Sequence, residues 1–146
     1  MSRAPCFLIL VLAVVGYAGY SIYRIPETFR EAYALCWVSG MVVDYMEGND
    51  GRWPREWDDL KGPYELAVAQ VGRTWTFDDL RSRVDVDFSA DPKELAKARV
   101  KNGSVPFRVI SLRSGYYHYI EGSDPNVRIW EHLQKRAKQA ETMPAP

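Results

Sequence analysis

Apolar residues follow three different rhythms along this chain, and each rhythm predicts a different element. From Cys6 to Tyr23 they run without interruption, eighteen residues lacking any charge. As a helix that run would reach about 27 Å, close to the hydrocarbon thickness of a bilayer. Tyr17, Tyr20 and Tyr23 gather at its downstream end, where amphipathic rings favour the membrane–water boundary. From Glu27 to Glu47 the rhythm changes to steps of three and four: Phe29, Ala32, Tyr33, Cys36, Trp37, Gly40, Val43 and Met46. This predicts a long amphipathic helix whose polar face carries Arg30, Glu31, Ser39 and Asp44. At Val84, Val86 and Phe88 the period becomes two, with Arg83, Asp85 and Asp87 between them, as in a half-buried strand.

Turn chemistry divides these segments. Gly48-Asn49-Asp50-Gly51 ends the long helix with residues that tolerate left-handed backbone. Trp53, Trp57 and Leu60 point one way on a short helical turn that starts at Pro54 and stops at Lys61-Gly62-Pro63, forming a plug over one end of the core. Residues 64–72 suit either a strand or a helix. Asp91-Pro92 and Asp124-Pro125 each pair a capping carboxylate with a first-turn proline, predicting helices to about Val100 and about Ala140. The second helix carries an apolar side of Val127, Trp130, Leu133 and Ala137. Pro106–Arg113 and Tyr116–Glu121 are β-rich runs joined by Ser114-Gly115, a hairpin signal. The predicted fold class is α+β: an N-terminal transmembrane helix, then a long amphipathic helix packed on a small antiparallel sheet with further helices. The divisions are an anchor over residues 1–23, a domain over 24–140 and a disordered tail over 141–146.

The apolar start has a second reading as a cleaved secretory signal, with Gly16 and Ala18 as the small residues of a cleavage site and Arg3 as its positive end. Either way the remainder lies outside the cytoplasm if the short N-terminus stays inside. The expected location is the cell membrane, single-pass, with a periplasmic domain, and the bilayer itself is the first expected partner.

Of nineteen basic residues only Arg3 precedes the domain, which leaves eighteen against nineteen acids. Balanced charge offers no field to gather nucleic acid, and no nucleic-acid partner is expected. Cys6 and Cys36 sit on separate segments and make no disulfide framework, so the domain relies on its core. Asp85 and Asp87 share a strand face, where two carboxylates can share a proton, but alternation alone already puts them on the solvated side. Asp44, Glu47, Asn49 and Asp50 surround a glycine turn without the ligand spacing of a calcium loop. His118 and His132 lack the short spacing of a zinc site. No nucleophile elbow or phosphate loop occurs, so we expect no enzyme, no catalytic residue, no metal and no cofactor. Tyr116, Tyr117 and Tyr119 form either an aromatic patch or cross-strand packing. Together with Trp53 and Trp57 they are the candidate interaction surface.

Tyr45-Met46-Glu47-Gly48-Asn49-Asp50-Gly51-Arg52-Trp53-Pro54, followed by Asp58-Asp59-Leu60, resembles type IV pilin-like proteins and type II secretion pseudopilins. The likeness covers roughly residues 6–60. It implies a long N-terminal helix on a small antiparallel sheet and a role as an assembly subunit. Two marks of that family are missing: Phe7 follows Cys6 rather than the cleavage glycine, and Val11 stands where the mature helix carries a glutamate. The functional expectation is a non-enzymatic, membrane-anchored envelope protein that binds other envelope proteins. The alternative is an extracytoplasmic sensor of a small ligand or ion.

Overall fold

The computed structural model describes residues 27–72, 75–117, 119 and 122–142. Helix α1 occupies residues 27–48, and its end is the turn expected there: Asp50 and Gly51 take positive φ, and the Gly51 amide donates to the Met46 carbonyl at 2.8 Å. The buried face of α1, however, is rotated from the predicted one. Leu35, Val38, Met41, Val42 and Met46 are fully enclosed, whereas Phe29 and Tyr33 lie 57 % and 51 % exposed. At 3.6 residues per turn the two faces are centred roughly 130–150° apart. Ser39, expected in solvent, is buried and donates to the Cys36 carbonyl at 2.9 Å. Apolar residues surround α1 almost completely, so spacing permits two stripes and the packing partners select one. Each enclosed Leu, Val or Met contributes up to about 1.5–3 kcal/mol of transfer free energy.

A 3-10 turn, Trp57–Leu60, runs directly into α2, Lys61–Val71. Lys61-Gly62-Pro63 therefore opens a helix rather than stopping one, since a first-turn proline gives up an amide that has no intrahelical partner. Helix α3, Phe77–Arg83, was not legible as a helix from apolar spacing. It starts at a reciprocal capping box in which Thr76 and Asp79 each bond the other's backbone amide. Strand β1, Val84–Val86, pairs antiparallel with β2, Ile110–Leu112, in the register Val84–Leu112 and Val86–Ile110. Between them lies α4, Pro92–Ala96, with the Asp91 carboxylate accepting from the Lys93 amide at 2.8 Å. Helix α5, Pro125–Thr142, runs past the expected boundary at 140 and includes Glu141 and Thr142.

The architecture is α+β, with five helices and a two-stranded antiparallel sheet among the described residues. This corrects the expected fold in two respects. No helix among the described residues is long and apolar enough to cross a membrane, and the run Cys6–Tyr23 lies outside them. The second correction is that the strand expected after Ser114-Gly115 is not found at its described residues, Tyr116, Tyr117 and Tyr119. Residues 113–117 are turn and irregular chain. The edge of β2 is already taken by Asn126, fully buried at the start of α5. Its Oδ1 accepts from the Val109 and Ile110 amides at 2.8 and 3.0 Å, and its Nδ2 donates to the Ile110 carbonyl at 3.0 Å.

Helices α1 and α5 point the same way along a polar seam. An Arg128 nitrogen lies 3.4 Å from the Cys36 carbonyl, His132 Nδ1 is 3.6 Å from the Glu47 carboxylate, and Arg136 packs over Gly51. Gly40, placed on the sheet-facing stripe by the sequence reading, instead faces the Arg128 guanidinium of α5.

Candidate functional site

Trp53 and Trp57 are core, which removes them from the candidate interaction surface. Both are buried, and the Trp53 indole donates to the Asp87 carbonyl at 2.8 Å, tying the turn to the end of β1. Trp57 meets Phe77 and Phe88 edge-on at centroid distances of 5.8 and 6.0 Å. They form the plug expected from their spacing. The same residues that give a partner its hot spots make an interior when a shell of Leu60, Phe77 and Phe88 is at hand.

The tyrosines divide differently. Tyr116 and Tyr119 are 49 % and 42 % exposed, while Tyr117 is half-buried. The Tyr117 hydroxyl donates to Asp124 Oδ1 at 2.7 Å and accepts from Asn126 Nδ2 at 2.8 Å. Asp124 Oδ1 also accepts from the Asn126 amide at 2.8 Å, so one carboxylate caps α5 and holds the phenol. Burial, reinforced by the bond to Asp124, pushes the Tyr117 phenol well above its ordinary pKa. The Arg108 guanidinium lies 4.0 Å from the Tyr117 ring centroid, and the Tyr119 ring packs edge-on at 5.1 Å. Tyr117 is thus the fixed pivot of a loop that displays its neighbours. His118, Ile120 and Glu121 lie outside the described residues.

A second surface feature escaped the sequence reading. Phe29, Arg30, Tyr33 and Trp37 of α1 join Val71 at the end of α2, and Trp75 after it, around a groove of about 510 Å³. Val71 is 71 % exposed there. The guanidiniums of Arg30 and Arg83 lie 5.3 and 5.5 Å from the Trp75 ring centroid. Glu27 is shared by both arginines. Chiefly through its bond to Arg83, its carboxyl is held below the usual range. The signal in the sequence is the Phe29/Tyr33/Trp37 spacing, but the structure exposes Phe29 and Tyr33 and leaves Trp37 only partly buried.

The carboxylate pairs do not converge. Asp85 pairs with Arg113 at 2.9 Å, while Asp87 accepts from the Ser89 amide and hydroxyl at 3.0 and 2.6 Å. At the turn after α1, Asn49 caps the helix by donating to the Tyr45 carbonyl at 2.8 Å. Among the described residues no group of three or more His, Cys, Asp or Glu side chains is placed to hold a metal ion. His132 is enclosed, its Nε2 has no hydrogen-bond partner, and burial lowers its pKa. Nearby Asp44 is shifted the opposite way, upward, also by burial.

Compared with family models, with curated proteins and with solved structures, the chain shows no match.

Proposed function

We propose that this chain is a non-enzymatic envelope protein that binds a partner protein through the loop bearing Tyr116 and Tyr119. The observation that carries this reading is the contrast within one loop: Tyr117 is locked by Asp124, Asn126 and Arg108, while Tyr116 and Tyr119 on either side project large, partly exposed rings. Tyrosine and arginine dominate interface hot spots because they bring large contact area and hydrogen-bonding groups. A segment held at Tyr117 also loses less conformational freedom there on binding. Placement at the membrane, with the domain outside the cytoplasm, is supported by the uncharged run Cys6–Tyr23. An assembly role rests on the pilin-like resemblance of residues 6–60, on sequence alone. A small-ligand site needs several convergent polar groups, whereas the groove beside α1 offers mainly the Arg30 guanidinium.

The test is site-specific photocrosslinking in native membranes. A crosslinker at Tyr116 or Tyr119 is expected to capture the same protein reproducibly, and one at exposed Lys93 is not. Equal or absent capture at all three positions, together with thermal stabilisation by a metal ion or metabolite, would transfer the function to the sensor class.

A further inference from the structure

We propose that the aromatic groove formed by Phe29, Tyr33, Trp37, Val71 and Trp75 docks onto the phospholipid interface of the membrane that holds residues 6–23. This rests on the membrane placement proposed above, and adds a second, surface contact made by the folded domain.

The first argument is chain length. Three residues lie between Tyr23 and Glu27, so the four steps from one to the other span at most about 14 Å even when fully extended. Phe29 lies about 3 Å further along α1. The start of α1 is therefore confined to within about 17 Å of the point where the uncharged run ends, whatever path the intervening residues take. The headgroup layer on one side of a bilayer is itself roughly 5–8 Å deep. A linker at half extension brings Phe29 to that layer.

The second argument is what stands at that end of the domain. Phe29, Tyr33 and Val71 are each more than half exposed, and Trp37 is partly so, yet they adjoin one another around a single groove. A contiguous exposed apolar surface on a soluble domain marks a contact. Its composition is that of an interface belt: aromatic rings with polar edges, and a guanidinium that reaches phosphate level while its stem lies on apolar surface. Arg30 supplies that guanidinium, more than half exposed and only 4.0 Å from a Glu27 carboxylate already engaged by Arg83. Asp79 also acts on both arginines electrostatically, so among the described residues Glu27 and Asp79 offset Arg30 and Arg83, and the apolar contact dominates. Binding is then weakly dependent on salt.

The experiment uses the full chain reconstituted into vesicles of phosphatidylcholine brominated on its acyl chains, with a minor fraction of phosphatidylglycerol. Tryptophan emission is compared with that in unbrominated vesicles. Trp53, Trp57 and Trp75 are buried, so bromine quenching reports mainly on Trp37 and Trp130, and Trp37→Phe separates the two. Quenching is expected in the native chain and should fall about twofold or more in Trp37→Phe. The exposed-site variant Phe29→Asp/Tyr33→Asp should lose it while still floating with the vesicles. If the native chain does not float, the membrane placement itself fails and the docking fails with it. If it floats without bromine quenching, the docking alone is overturned and the placement stands. A photocrosslinker at Phe29 that captures a protein instead of lipid in native membranes also overturns it, in favour of a protein partner.

Discussion

Asn126 takes the place of a strand beside Ile110. Its amide gives the Ile110 N–H an acceptor at 3.0 Å and the Ile110 carbonyl a donor at 3.0 Å, the two bonds an adjacent chain would have made. Val109 and the Tyr117 hydroxyl use the rest of the same side chain. Replacing it by leucine leaves buried backbone groups unpaired, each costing about 1–3 kcal/mol. Asn126→Leu is expected to destabilise by about 3–5 kcal/mol in urea titration. A cost below about 1 kcal/mol would mean that water or a local shift replaces the amide.

Gly40 has the opposite prospect. A Cβ there would sit 3.5 Å from the end of the Arg128 side chain, ordinary contact with a flexible group. Gly40→Ala should therefore be neutral or stabilise by up to about 1 kcal/mol through helix propensity. Gly51 combines φ of 79° with an Arg136 nitrogen 2.8 Å from a Cβ position, so Gly51→Ala should cost more than about 1 kcal/mol. Thermal melts should show Gly51→Ala lowered and Gly40→Ala unchanged or raised.

Trp57→Ala removes a buried ring and two edge-on aromatic contacts, with an expected cost of about 3–5 kcal/mol. Unchanged partner crosslinking in whatever fraction remains folded would agree with a core role for this residue.

Acid should weaken the seam between α1 and α5. His132 has a folded pKa lowered chiefly by burial, so the unfolded chain binds its proton first as pH falls. Stability from the neutral imidazole is complete above the unfolded value of about 6.5 and is lost progressively below it. Asp44, with a raised pKa, works against this loss at still lower pH, because the folded chain then binds the extra proton. Urea midpoints at pH 7.5 and pH 5.5 should differ more for the native chain than for His132→Gln.

The legible parts of the fold were those decided by neighbouring residues. Asp91 and Asp124 cap the helices they precede, and the Gly48–Gly51 turn closes α1, because these bonds span only a few positions. The rotation of α1 was not legible, since Phe29 and Leu35 are equally apolar and only the distant α5 and sheet distinguish them. The strand expected from Tyr116, not found at the described residues 116, 117 and 119, has the same origin. Residues 116–121 have strand-like composition, but Asn126 already holds the edge they would need. At the site, the tyrosines were visible as a cluster. Their division into a pivot and two displayed rings depends on Asp124 and Arg108, which sequence does not place beside Tyr117.

The parallel seam of α1 and α5 also governs when this domain can fold. Cys36 and Arg128 are 92 positions apart, and Leu35, Val38 and Val42 share one core with Ile129 and Leu133. A chain emerging from its amino end must therefore carry an uncovered apolar helix until nearly all of it has been delivered. Folding waits for the last element, and contacts at such separation are closed slowly. During that interval the exposed helix face is open to aggregation or to a holding chaperone, and truncation before Leu133 would leave it so permanently.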